Sequence, residues 1–144
     1  MKCVACAIAE GTLEGEVVLR TEHTLAFLDH RPVFKGHVLV CPLPHADNLD
    51  DLSPERLGTL FTDVQRLAAA LEDALGCTGT FVAVNNKVSQ SVPHLHVHVV
   101  PRTKGDGLRG FFWPRVKYAD GELAAHGTLI REALARADEP RQGQ

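Results

Sequence analysis

A chain of 144 residues and 15.7 kDa is long enough for one domain with a real core and too short for two ordinary ones. Hydrophobic residues at 44% and charged residues at 23% exclude a disordered chain, and a net charge of -3 excludes general coating of nucleic acid. No apolar run approaches the length of a membrane span, and the start, with Lys2, Cys3, Val4, Ala5, Cys6 and soon Glu10, does not read as a secretory signal. The composition therefore predicts a cytoplasmic protein without membrane partners, whose four cysteines are thiols or metal ligands rather than disulfides.

In chain order, Glu16 to Leu19 and Leu25 to Asp29 read as two short strands around a His23-Thr24 turn. A third strand, His37 to Cys41, follows the Lys35-Gly36 turn and stops before Pro42 and Pro44; its apolar run Val38-Leu39-Val40 predicts cover on both faces. The clearest helix begins at an N-cap Ser53 with Pro54 in the first helical position. Leu57, Leu60, Phe61, Val64, Leu67, Ala68, Leu71 and Leu75 form its apolar stripe, and Gly76 ends it. Phe81 to Val84 reads as a fourth strand and Asn85 to Val92 as a polar loop. Pro93 and Pro101 bracket a fifth strand, His94 to Val100. Gly105-Asp106-Gly107 marks a turn, Leu123, Gly127, Ile130 and Leu134 follow helical spacing with Asp120 as a candidate cap, and 138–144 is a polar, frayed tail. The expectation is an α+β fold in a single domain over 1–137, with an antiparallel sheet of about five strands, one main helix and a C-terminal helix.

His94, His96 and His98 alternate with Leu95, Val97 and Val99, so a strand places all three imidazoles on one face. Alternate strand residues lie about 6.6–7 Å apart, so two such rings can share an ion but three on a straight strand cannot easily do so. A phosphate site is the other reading, in which each imidazole attacks, orients or stabilises separately. The preceding loop favours it. Asn85, Asn86, Ser89, Gln90 and Ser91 offer uncharged donors to phosphoryl oxygens, and no Asp or Glu lies between Asn85 and Pro101 to build a carboxylate-held Mg²⁺ site.

His94-Leu95-His96-Val97-His98-Val99-Val100 resembles the signature of the histidine triad family of nucleotide hydrolases and transferases. Cys3-Val4-Ala5-Cys6 with Ile8, Ala26-Phe27-Leu28-Asp29, Lys35 to Pro42 and Gln90-Ser91-Val92-Pro93 agree in order and spacing, so the resemblance runs from about Cys3 to Trp113. Gly36 to Leu43 is most similar to the dinucleoside polyphosphate hydrolase branch; the Cys pair and Gly105-Asp106-Gly107 are more like the phosphoramidate-hydrolysing branch. Two features depart from the pattern: Ser89 stands where family loops usually have Gly, and the loop is shorter.

The resemblance implies that His96 is the nucleophile, attacking an α-phosphorus to give a nucleotidyl-histidine that water cleaves. It implies that His98 and His37 stabilise phosphate charge, that Gln90 and Ser91 meet the scissile phosphate or leaving group, and that Asn85 holds phosphate or ribose. Asp29 matches the residue that binds ribose hydroxyls, with Phe27 and Ile8 lining the base pocket, although core packing explains these two equally well. In zinc-bearing relatives a Cys pair combines with a downstream His and the first His of the motif. Here those are Cys3, Cys6, His45 and His94, a closed Cys₂His₂ set for a structural Zn²⁺, with no catalytic metal built from the triad strand. Cys41 and Cys77 read as small buried residues.

The expected function is hydrolysis at the α-phosphate of a dinucleoside polyphosphate or nucleoside phosphoramidate, with transfer to another acceptor as a variant. A nucleotide-binding scaffold with incidental catalysis is the alternative, and a zinc hydrolase built on the His strand a third reading. The expected partner is a small-molecule nucleotide, and the resemblance implies a homodimer. Phe111-Phe112-Trp113-Pro114 reads as a core or dimer-contact cluster.

Overall fold

The computed structural model describes residues 3–109 and 115–140. Chain contacts divide it into two compact units, Met1–Gly107 and Leu108–Gln144. The aromatic cluster expected at 111–114 and the end of the polar tail, 141–144, lie outside the described residues.

The first unit contains α1 (Val4–Ala9), β1 (Val17–Arg20), β2 (Thr24–Leu28), β3 (Val38–Pro42), α2 (Pro54–Leu75), β4 (Gly79–Ala83) and β5 (Val97–Arg102), with a single 3₁₀ turn at Leu49–Asp51. Its strands form one antiparallel sheet in the order β1-β2-β3-β5-β4. This is the α+β architecture expected, with one helix more. Helix α1 escapes periodicity because six residues, VACAIA, make less than two turns and no side chain caps the first. Among the described residues no helix is long and apolar enough to cross a membrane.

Helix α2 starts and stops as its sequence predicts. The Ser53 hydroxyl accepts from Arg56 N at 3.2 Å, Pro54 opens the helix, and Gly76 closes it in the left-handed region at φ 68°. Of the eight-residue stripe, Leu60, Val64, Leu67 and Leu71 are buried against Ala26, Val38, Val40, Leu95, Val97 and Val99, whereas Phe61 and Leu75 stay exposed. The sheet's other face carries a second cluster, Ala5, Ile8, Leu25, Phe27 and Cys41, under α1. Cover on both faces explains the unbroken apolar run of β3.

Several sequence expectations shift: β1, β2 and β3 each lie one residue off their predicted spans, with β3 taking in Pro42. Strand β4 begins two residues early, at Gly79. Strand β5 starts at Val97, because Leu95 N donates to Ala46 O at 2.8 Å and so leaves the β3 ladder, whose pairing begins at Val40 with Val97. It also runs through Pro101 to Arg102; beyond Val99 it has left β3 and pairs with β4 alone, and such an edge tolerates proline. In the second unit, α3 (Glu122–Asp138) has Gly121 rather than Asp120 as its N-cap.

Candidate active site

The alternation of the triad segment survives its irregular start. Leu95, Val97 and Val99 enter the α2 core, while His94, His96 and His98 line a cleft of about 210 Å³ on the opposite face. Val4 and Ala5 of α1, Phe27 and Asp29 at the end of β2, Leu39 and Cys41 of β3, and Ser91 and Val92 of the loop complete it, with His30 at its rim. A larger cavity of about 680 Å³ shares Val4, Phe27, Asp29 and His30 with it and continues to Ile8 and Gly15. A Cβ at position 15 would lie 2.8 Å from Ile8 Cδ1, so glycine lets the chain pass against that wall.

Hydrogen bonds assign the proton of each neutral ring. His96 Nδ1–H donates to the His94 carbonyl at 2.7 Å, which leaves the Nε2 lone pair available. Val33 N–H donates to His37 Nδ1 at 3.2 Å, so the His37 proton is on Nε2, and it donates to His98 Nδ1 at 3.0 Å. The His98 proton therefore sits on Nε2, which is buried and has no hydrogen-bond partner among the described residues. The His96 and His98 rings meet edge to face with centroids 5.0 Å apart. The cleft is thus lined by one imidazole with an unprotonated nitrogen and a neighbouring one whose buried N–H lacks a partner among the described residues, a pairing suited to attack on a centre that carries anionic oxygens.

Burial holds the His98 imidazole down at about 4, with His96 and His37 pushing the same way and Asp29 opposing. The His37 imidazole is also lowered, chiefly by burial, although the Asp29 carboxylate at 3.7 Å pulls against this. Asp29 is held in place by Arg31 N, which donates to Oδ1 at 2.9 Å.

The other predicted cluster also comes together. Sγ of Cys3 and Cys6 and Nδ1 of His45 and His94 all lie within 4.8 Å of one another. Cys3 Sγ and His94 Nδ1 are 3.2 Å apart, Cys6 Sγ and His45 Nδ1 3.2 Å, and Cys6 Sγ and His94 Nδ1 3.6 Å. Donors around a tetrahedral zinc are separated by roughly 3.3–3.8 Å, given its bond lengths. The second ring nitrogens are engaged as ligating imidazoles require: His94 Nε2–H donates to Pro42 O at 2.8 Å and His45 Nε2–H to Asp47 Oδ1 at 2.6 Å. Cys41 lies beside this set and in the cleft wall; burial, reinforced by Cys3 and Cys6, pushes its thiol up to about 12.

The loop residues divide. Ser91 lines the cleft, whereas Asn85 is exposed and is not among its lining residues. The Gln90 side chain is turned onto the protein: Nε2 donates to Asp47 O at 2.5 Å and Oε1 accepts from Lys87 N at 3.0 Å. Ser89, in the place where the family pattern has Gly, has φ 58°, and Lys87 has φ 71°. Asp47 and His30 were not singled out from the sequence. A carboxylate two residues after a candidate ligand His is the one signal that points to Asp47, and adjacency to Asp29 the one that points to His30.

A family model described as the HIT domain matches residues 10–105. The chain belongs to the histidine triad family. A Zn-bound histidine triad family protein from Mycobacterium smegmatis superposes with a TM-score of 0.72 at 36% identity, covering 96% of each chain. Two curated relatives from Schizosaccharomyces pombe carry named activities. The asymmetrical bis(5'-nucleosyl)-tetraphosphatase is 37% identical over 129 residues, 88% of this chain and 71% of the relative. The adenosine 5'-monophosphoramidase hnt1 is 33% identical over 136 residues, 93% and 99% respectively. Family membership makes the cleft the place to look for nucleotide chemistry.

Proposed function

We propose that this histidine triad protein is a nucleotidyl hydrolase, cleaving at the α-phosphate of a dinucleoside polyphosphate or a nucleoside phosphoramidate through an adduct on His96. The observation that carries the reading is the hydrogen-bond pattern of two neighbouring rings, with an unprotonated Nε2 on His96 and an Nε2–H without a partner among the described residues on His98. The nucleoside occupies the wider cavity, its base against Phe27 and Ile8 and its ribose hydroxyls on Asp29. His96 Nε2 donates its lone pair to phosphorus, and the bond from phosphorus to the leaving oxygen or nitrogen breaks with its electron pair staying on that atom, an amine leaving group taking up a proton from water. Nε2–H of His98, held in its tautomer by His37, and the Ser91 hydroxyl donate to the oxygens on which charge develops. Water then attacks phosphorus and gives up a proton to solvent, the N–P bond breaks with its electron pair returning to His96 Nε2, and a nucleoside monophosphate leaves. Positioning and charge stabilisation supply most of such a barrier reduction, so no strong base is needed.

Cys3, Cys6, His45 and His94 hold a Zn²⁺ in this reading. Four protein donors leave no open coordination position, so the ion supplies structural cross-linking. The family resemblance extends the proposal to a cytoplasmic homodimer. Turnover of adenosine phosphoramidate and of diadenosine tri- and tetraphosphate by wild type and His96→Asn tests the core claim. Wild type cleaves at least one of them, and the variant loses at least about 10³-fold in kcat, as expected when a nucleophile acting in a concerted set is removed. Equal rates for the two proteins would reject His96 as nucleophile.

A further inference from the structure

Ser91 enters the cleft from a loop that has little regular structure of its own, so something outside it must fix its shape. Two of its residues, Lys87 and Ser89, hold the left-handed backbone region without being glycine, a conformation that persists only where surrounding contacts over-determine it. The side-chain contacts that tie the loop to the rest of the chain run to one segment, 47–51. Leu49 N donates to Asn86 Oδ1 at 2.9 Å, and Asn86 Nδ2 donates to Asp50 Oδ1 at 3.2 Å. Lys87 Nζ pairs with the Asp50 carboxylate. Gln90 is the central stitch, because Oε1 takes Lys87 N across the strained turn while Nε2 reaches Asp47 O.

Asp47 in turn touches the four-donor cluster, since its carboxylate accepts from His45 Nε2 at 2.6 Å. Two hydrogen bonds thus meet at Asp47, one from His45 to its carboxylate and one to its backbone carbonyl from Gln90, the residue next to Ser91. We propose that Gln90 is a positioning residue that latches the 85–92 loop to the metal-ligating segment, so that filling the Cys3–Cys6–His45–His94 set orders the loop carrying Ser91. This deepens the reading of the cleft as a phosphate site and rests on it for its catalytic meaning, although the latch itself can be tested without any nucleotide. It also gives the Gln90 amide a role distinct from contact with the leaving group: both ends of the amide are already bonded within the protein.

Hydrogen exchange of the peptide covering 85–92, followed by mass spectrometry on metal-stripped protein with and without one equivalent of Zn²⁺, tests the latch. In wild type zinc slows exchange of this peptide several-fold. Gln90→Ala removes both stitches and Gln90→Glu only the donor to Asp47 O, so both variants lose the zinc response of the loop. Both still bind zinc with wild-type affinity in competition with a chromophoric chelator, because neither change touches a ligand. An unchanged zinc response in the two variants, or none in wild type, overturns the proposal. Turnover of the nucleotide panel reports the cleft reading separately: a protein with an intact zinc response but no turnover keeps the latch and loses the phosphate site.

Discussion

Each imidazole of the triad differs in what its second nitrogen touches, and that difference sets its chemistry. His94 gives its Nε2 proton to Pro42 O and turns Nδ1 to the thiols; His96 gives its Nδ1 proton to the backbone and leaves Nε2 open. His98 receives from His37 at Nδ1 and so keeps its proton on Nε2, buried and without a partner among the described residues. A pH consequence follows for His98. Its folded-state value, about 4, lies below the ordinary histidine value of 6.5, so between these two pH values the unfolded chain binds a proton that the folded chain refuses. Stability is therefore full above 6.5, falls as pH drops toward 4, and levels off below that. His37 is lowered as well and acts in the same direction. Urea denaturation at pH 7 and pH 5 will show a loss in wild type, with a slope of at most about 1.4 kcal/mol per pH unit from His98 alone, less after solvent screening. His98→Gln removes that part of the slope. A variant that loses stability with pH as steeply as wild type would contradict the assignment of a neutral, buried His98.

At the scale of elements, α2 and the sheet behind it were legible because their signals are redundant: cap, proline, stripe and C-terminal glycine all agree. The stripe alone does not separate contact from exposure, and Leu60 at 1% exposure and Leu75 at 53% look alike in sequence. Leu60→Ala should cost about 2–5 kcal/mol and Leu75→Ala much less, since only the first opens a cavity in a packed core. Chemical denaturation midpoints at constant m-value measure the difference, and similar losses at the two sites would place the core wrongly. Gly36 holds φ 98°, so the turn into β3 and His37 depends on glycine there. The triad segment was legible in its facing and not in its extent. Period-2 alternation identifies which side chains share a face, but the exit of Leu95 to Ala46 depends on a partner 49 positions earlier in the chain, which no local pattern encodes. The same holds for the loop. Its polar residues advertise donors, yet whether an amide meets a ligand or a neighbouring carbonyl is settled by tertiary contacts, and those engage Gln90 with Asp47.

Over the first unit as a whole, the four-donor cluster ties α1, which is not part of the sheet, to the ends of two paired strands. Cys3 and Cys6 flank or lie in α1, His45 follows β3, and His94 precedes β5. A ligand that binds only the folded form stabilises it by mass action, about 2.7 kcal/mol when free ligand reaches 100 times its dissociation constant. For a unit of this size that corresponds to a rise in Tm on the order of 10 °C. Wild type should therefore melt at a higher temperature with Zn²⁺ than after chelation, and Cys6→Ser should melt low in both conditions, as scanning calorimetry will record. The same comparison separates a structural ion from a catalytic one. His96 keeps its backbone partner His94 O and its open Nε2 through contacts that involve no metal. Stripped protein, assayed well below its own melting temperature, should then retain turnover that His96→Asn abolishes, reduced to the degree that the 85–92 loop loosens. Complete loss of turnover in protein that circular dichroism shows to be folded, restored by zinc, would instead move the ion into the chemistry.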